Sequence, residues 1–277
     1  NTGSWSTKEA LPMGVFTAYI NCLDGDPTTG KERPFIAAAN EVGCEVYCID
    51  AGWFAPLDQN WWPAIGEWQP SGDRFEGGIE GILGEIRGAG MTPGLWLELE
   101  GMGPGCPLAR EWPDACFFQR HGKRLLNRNR YQLDFRHPVV REHADAVVDR
   151  LVGWGVGYIK MDYNIDIGIG TDYDADSPGD GLLRHQRAYL DWLDAVFDRH
   201  GGLVVENCSS GGLRLDWGLL GRHSIASSSD QQDFRLNGRI AALGPTAAPP
   251  EQWAVWAYPL AGDSPAAVAF NCVNALL

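Results

Sequence analysis

The chain of 277 residues carries 36 acidic against 22 basic side chains, a formal charge of −14, with 44% hydrophobic and 11% aromatic content. That charge repels phosphate backbones and anionic surfaces, and no apolar run approaches the ~20 residues of a membrane span, so neither nucleic acid nor membrane is an expected partner. The length suits one large core, since α/β barrels commonly run to about 200–250 residues as a single domain.

The opening "NTGSWSTKEA" has neither a basic nor an apolar segment of the kind that targets a chain for export. Short β-rich runs then alternate with longer stretches of helical period. Strands are predicted at 15–20, 46–50, 92–98, 158–162, 203–206, 225–229, 252–257 and 268–272. Amphipathic helices are predicted at 32–42, 78–89, 139–154 and 182–200, closed by Gly43, Gly90, Gly155 and Gly201. Eight strands alternating with helices predict an α/β fold of the parallel (β/α)₈ TIM-barrel type over 1–277. The long connection 101–136 is the exception, and "FFQRHGKRLL" within it predicts a small hairpin centred on "HGK". The predicted eighth strand finishes as the sequence does, so the last helix is expected to be missing and the chain to be the core of a longer polypeptide that carries flanking domains.

Seven cysteines without C-x-x-C spacing fit reduced thiols, and with them a cytoplasmic compartment, better than a disulfide framework or zinc site. A Cys106–Cys116 bridge across one loop is the alternative. Twelve tryptophans, several in predicted loops such as "NWWPAIGEW", suggest faces for stacking on sugar rings rather than core positions.

Charged residues recur where predicted strands end: Asp50, Glu98 with Glu100, Lys160 with Asp162, Glu206 and Asp230. In a parallel barrel those ends converge on the face that carries catalysis. Lys160 and Asp162, two residues apart, project to one side of their strand; a single such pair reads equally well as an internal salt bridge, but the repetition favours a site. Several carboxylates around one pocket suit glycoside hydrolysis, with one nucleophile and one proton donor. They also suit metal-assisted enolisation, with Asp and Glu on magnesium and lysine as base. The tryptophan-rich loops favour the sugar chemistry; the pattern alone leaves both open.

The motifs "IDAGWF", "GLWLELEGM", "RYQLDF", "YIKMDYN", "ENCSSGGLRLDWGLL" and "SSSDQQDFR", in this order and spacing, resemble family 36 of the glycoside hydrolases, mainly α-galactosidases, with family 27 as a relative. The resemblance implies a retaining α-glycosidase that acts on a carbohydrate substrate without a cofactor or metal. It implies Asp162 as nucleophile and Asp230 as acid/base, and it places Asp50, Trp53, Trp96, Arg130, Lys160, Cys208 and Gly211 around the sugar. Lys160 would bind a sugar hydroxyl and help keep Asp162 ionised. The glycines of "SSGG" would let backbone approach the ligand. Asp216 is expected to cap the segment after those glycines, and Glu98 and Glu100 either to brace loop backbone or to touch substrate. One departure bears on the sugar: the family's tandem aspartates before Gly-Trp read Asp50-Ala51 here. Another α-linked sugar, such as N-acetylgalactosamine, a pentopyranose or glucose, is therefore the alternative, with Asp58 as a candidate replacement acceptor. Outside this class stand a metal-dependent lyase or isomerase and a non-catalytic sugar-binding module, the last disfavoured by the presence of both Asp162 and Asp230. Oligomeric state is left open, a homo-oligomer included.

Overall fold

The computed structural model describes residues 14–166, 168 and 170–276, so the N-terminal stretch read above for targeting signals lies outside the described residues. Strand β1 (Val15–Thr17) is followed by helix α1 (Thr29–Glu41), β2 (Val46–Ile49), α2 (Ile79–Gly88) and β3 (Thr92–Leu97). After the long connection come α3 (Pro138–Gly153), β4 (Tyr158–Met161), α4 (Pro178–Arg199), β5 (Val204–Asn207), β6 (Ile225–Ser227), α5 (Phe234–Leu243), β7 (Trp253–Ala254) and α6 (Pro265–Leu276). The seven strands form one parallel sheet in chain order, as repeated strand–helix–strand units dictate.

Alternation along each strand sorts the side chains into two layers. Tyr47, Ile49, Leu95, Leu97, Ile159, Met161 and Val205 join the main core, which also takes the buried faces of the helices, such as Ile82, Leu83 and Ile86 of α2 and Val147, Val148 and Leu151 of α3. The intervening Val46, Cys48, Tyr158 and Ile225 form a separate cluster on the other face. There, register aligns Gly94 with both Cys48 and Tyr158. A Cβ on Gly94 would stand 3.1 Å from each, so the glycine makes room for the tyrosine. Further along this face Lys160 reaches Asp50, past the intervening β3, and lies 5.3 Å from the ring of Trp256, which follows β7. Strands two, four and seven meet in this way only if the sheet curls, with its inner face inside the curl.

The sheet departs from the eight predicted strands. Residues 268–272, read as the eighth, are helical within α6, so the chain's last described element is a helix after the seventh strand. A short apolar run has no period that separates strand from helix; here Pro265 opens a helix whose first turn is held by Ser264, which accepts from the N–H of Val268 through its carbonyl and of Ala267 through its hydroxyl. Among the described residues β1 and β7 are therefore the two edges of an open sheet, and the arrangement is a mixed α/β half-barrel. β7 is also shorter than expected, its start taken by the 3₁₀ turn Pro250–Gln252. A groove of about 570 Å³ lies on its outer side, lined by Trp253, Val255, Phe270 and Val273.

The hairpin appears where predicted: Gln119–Arg120 pairs antiparallel with Lys123–Arg124 around His121 and Gly122, both at positive φ, the geometry of a two-residue hairpin turn. Gly43, Gly90 and Gly155 take the left-handed conformation after their helices; Gly201 does not. All seven cysteines are free, which removes the Cys106–Cys116 bridge.

Candidate active site

Asp162 follows β4, and its backbone N–H donates to Leu97 of β3 at 2.7 Å. Its Oδ1 accepts the backbone N–H of Tyr163 at 2.8 Å and of Ser210 at 3.1 Å; its Oδ2 accepts Asn164 Nδ2 at 2.9 Å and Trp96 Nε1 at 3.2 Å. Every partner is an N–H donor, the surroundings of an ionised carboxylate. Lys160, one side-chain position earlier, pairs not with Asp162 but with Asp50, Nζ to Oδ2 at 2.8 Å. Asp50 also takes Thr17 Oγ1 at 2.7 Å and the N–H of Ala51 at 2.8 Å. Burial works against the charge on Lys160, but Asp50, followed by Cys208 and Glu206, outweighs it and holds the ammonium well above its ordinary range.

The 208–212 turn connects the two candidate catalytic carboxyls. Cys208 is buried, its N–H on Met161 of β4 at 2.8 Å, its thiol pushed well up by burial and then by Asp162. Ser210 N–H donates to Asp162, while Gly211 makes an antiparallel bridge with Ser229, the residue before Asp230. Gly211 sits at φ +83, and a Cβ there would fall 2.5 Å from the Asp230 nitrogen. The glycine is thus required by chain packing against chain, a different reason from the ligand approach expected above. Asp230 is half-buried at the end of β6, and its carboxyl is pushed up by burial first, with Asp162 and Asp50 adding to the effect and Lys160 opposing it.

Most of the expected sugar contacts are buried, Trp53 and Arg130 completely. Trp53 is fully buried and donates Nε1–H to the carbonyl of Trp96 at 2.9 Å. With Phe54, Trp61, Trp68 and Trp96 it builds an aromatic cluster whose ring centroids lie 4.9–6.4 Å apart. The loop tryptophans expected to face ligand therefore largely fill core. Trp96 belongs to this cluster yet reaches Asp162 with its indole N–H. Arg130 is wholly buried beneath the Trp62 ring, 3.5 Å from its centroid. Its Nε is 2.9 Å from Glu98 Oε1, an ion pair without hydrogen-bond geometry, and its three nitrogens have no hydrogen bond among the described residues.

Glu98 and Glu100 are braces. Glu98 takes both the backbone N–H and the side-chain amide of Asn164, each at 3.1 Å, and so positions the residue that donates to Asp162. Burial raises its carboxyl to about 7. Glu100, buried, is held down at about 2 by Arg214 and His185, which outweigh the burial. Asp216 caps the short helix Trp217–Leu220 by accepting the N–H of Leu219 at 3.1 Å. Ala51 is buried, and Asp58 lies exposed, outside the hydrogen bonds of the site.

Asn164, Ser210 and Tyr19 were not singled out from sequence. Asn164 and Ser210 stand inside quoted motifs, two residues beyond Asp162 and Cys208, so the spacing was a usable signal. Tyr19 has no such marker; its phenol, pushed up to about 12 by burial and then by Asp50 and Asp24, also feels Lys160 and Asp162. Among the described residues no group of three or more His, Cys, Asp or Glu side chains could hold a metal ion.

Comparison with known proteins identifies the family and the fold. Residues 24–241 match the Melibiase family. The α-galactosidase Mel36A of Lactobacillus acidophilus is 28% identical over 191 residues, covering 68% of this chain and 26% of that protein. The α-galactosidase C of Emericella nidulans is 30% identical over 209 residues, covering 69% and 26%. The chain thus spans about a quarter of the length of these curated relatives. Among solved structures, the GH36 α-galactosidase AgaA of Geobacillus stearothermophilus superposes with a TM-score of 0.86 at 21% identity, over 97% of this chain and 38% of that one. A variant of AgaA solved in complex with stachyose gives 0.84 at 21% identity, over 96% and 38%. The chain belongs to the Melibiase family, the α-galactosidase-like glycoside hydrolases.

Proposed function

We propose that this chain carries the catalytic centre of a retaining α-galactosidase, with the half-barrel as most of a (β/α)₈ barrel. Asp162 attacks the anomeric carbon and forms a glycosyl ester while Asp230 gives its proton to the departing oxygen; Asp230 then takes a proton from water as that water cleaves the ester. The observation that carries this reading is the contrast between the two carboxyls. Asp162 is surrounded by four N–H donors, whereas Asp230 is half-buried and pushed toward its protonated form. An acid and a nucleophile call for different surroundings, and these two carboxyls have them: N–H donors around Asp162 and burial around Asp230. Asp50 and Lys160, fixed to each other, present an acceptor and a donor to sugar hydroxyls beside them.

Galactose is the sugar this reading names, because the relatives are α-galactosidases. Ala51 leaves one hydroxyl of that sugar with fewer acceptors. The test is hydrolysis of nitrophenyl α-glycosides of galactose, N-acetylgalactosamine, xylose and glucose, with the anomer first released followed by NMR. The expected result is the highest kcat/KM on the α-galactoside, with the α-anomer appearing first. First release of the β-anomer overturns the retaining mechanism; preference for another sugar overturns the galactose assignment.

A further inference from the structure

An aspartate side chain ends in a broad torsion, so the direction its carboxylate faces is set by hydrogen bonds rather than by its rotamer. For Asp162 that direction decides whether an oxygen meets the anomeric carbon in an attacking geometry. Its four donors fall into two pairs: Tyr163 and Ser210 hold Oδ1, and Asn164 and Trp96 hold Oδ2. Ser210 acts on both oxygens. Its backbone N–H donates to Oδ1 at 3.1 Å, and its hydroxyl donates to Asn164 Oδ1, on the amide whose Nδ2 donates to Asp162 Oδ2 at 2.9 Å.

The Asn164 amide is held at both ends. Its Nδ2 donates to Asp162 and, at 3.1 Å, to Glu98 Oε2, while its Oδ1 takes the Ser210 hydroxyl. Turned over, the amide would set its oxygen against oxygens of two carboxyls. Asp162 and Glu98 fix the nitrogen end; among the described residues Ser210 alone holds the oxygen end. Ser210 does so on a strained backbone. Its φ is +43, in the left-handed region that glycine occupies freely and other residues rarely. A glycine at 210 would keep the N–H that Asp162 accepts and would lack only the hydroxyl. Strain of this kind clusters at functional sites, and here the side chain's one bond is the bond to Asn164.

We propose that Ser210 is a positioning residue for the nucleophile, its hydroxyl acting through Asn164 to fix the direction of the Asp162 carboxylate. The inference rests on the glycosidase reading above and goes beyond it by naming what aims the attack. The test is Ser210→Ala in the intact protein, made alone and in an Asn164→Ala background, with an aryl α-galactoside as substrate. The expected loss in kcat/KM is about tenfold in the first and less than about twofold in the second, where the hydroxyl has no amide to hold. The Ki of galactose should stay within about twofold of wild type, because binding the released sugar needs no attack. Ser210→Gly removes the same hydroxyl and relieves the backbone, so it should show the same loss while melting close to wild type; it carries the comparison if Ser210→Ala does not fold. Equal losses with and without Asn164, no loss in either background, or a Ki that rises in step with the loss overturns the proposal while leaving the glycosidase reading intact. Failure of both variants to fold also overturns it, since the serine then serves the fold. A wild-type protein that cleaves no aryl α-glycoside overturns the glycosidase reading and this proposal with it.

Discussion

Substituting Asp162 by asparagine sets an amide NH₂ among neighbours that are all donors. Whichever way the amide turns, two N–H groups from the set Tyr163, Ser210, Asn164 and Trp96 lose an acceptor. Asp162→Asn is therefore expected to cost about 1–3 kcal/mol of stability as well as at least ~10³-fold in kcat, measured by denaturant melts and initial rates. A variant that keeps a tenth of wild-type turnover contradicts the nucleophile assignment. Asp230 has a different test, because a proton donor matters only where the leaving group is basic. Asp230→Ala should lose little in the first step on an activated aryl glycoside and orders of magnitude on a sugar glycoside; equal losses on both contradict its role. Wild-type activity on the sugar glycoside should fall as pH rises through the Asp230 pKa, which burial places above the ordinary aspartate range.

At the scale of elements, the strand ends and the 208–212 turn position these side chains, and Gly211 is where the two carboxyls are tied together. In Gly211→Ala the new Cβ meets the Asp230 nitrogen at 2.5 Å and Ser229 Cα at 2.7 Å, on a backbone at φ +83. The segment has to move, so kcat/KM should fall at least tenfold, with ~1–3 kcal/mol lost from stability; wild-type kinetics would show that the turn does not set the acid/base. Five of the predicted strands were legible because β-rich runs ended at or beside charged residues, most of them set apart by helices long enough to show a period. β7, two residues long, kept only part of its predicted run, and α6 was misread because its apolar run, without a polar face, carries no period of either kind. At the site, Asp162, Asp50, Lys160 and Asp230 were readable from strand ends and motif, while the burial of Trp53 and Arg130 was not. Residue type gives no sign of whether an aromatic loop folds over a pocket or down into a core. The approach of Trp256 to Lys160 was hidden because only the fold brings the end of β7 near β4.

For the molecule as a whole, the interior holds carboxyls pulled both ways. Glu32, Glu98 and Glu206 are raised to about 7 by burial, whereas Glu100 and Asp134 are held at about 2 by their cationic neighbours. In the first group the unfolded chain releases its protons first, so stability falls as pH rises from about 4.5 to about 7; in the second, stability is lost as pH falls toward about 2. His223, held neutral by burial with its pKa lowered to about 4, works against the first group over much of the same window. A difference between variants isolates one contribution: Glu206→Gln should gain up to roughly 3 kcal/mol at pH 8 relative to its own effect at pH 4. A pH-independent effect in urea melts would contradict a protonated Glu206. The central claim, that Asp162 forms a bond to the sugar, is tested most directly by trapping. The intact protein is incubated with a slow-turnover fluorinated α-galactosyl fluoride and digested, and the labelled peptide is sequenced by mass spectrometry. The account predicts a single glycosyl adduct on Asp162 in the peptide containing "KMDYN"; an adduct on another carboxyl, or an unlabelled protein that still hydrolyses α-galactosides, would contradict it.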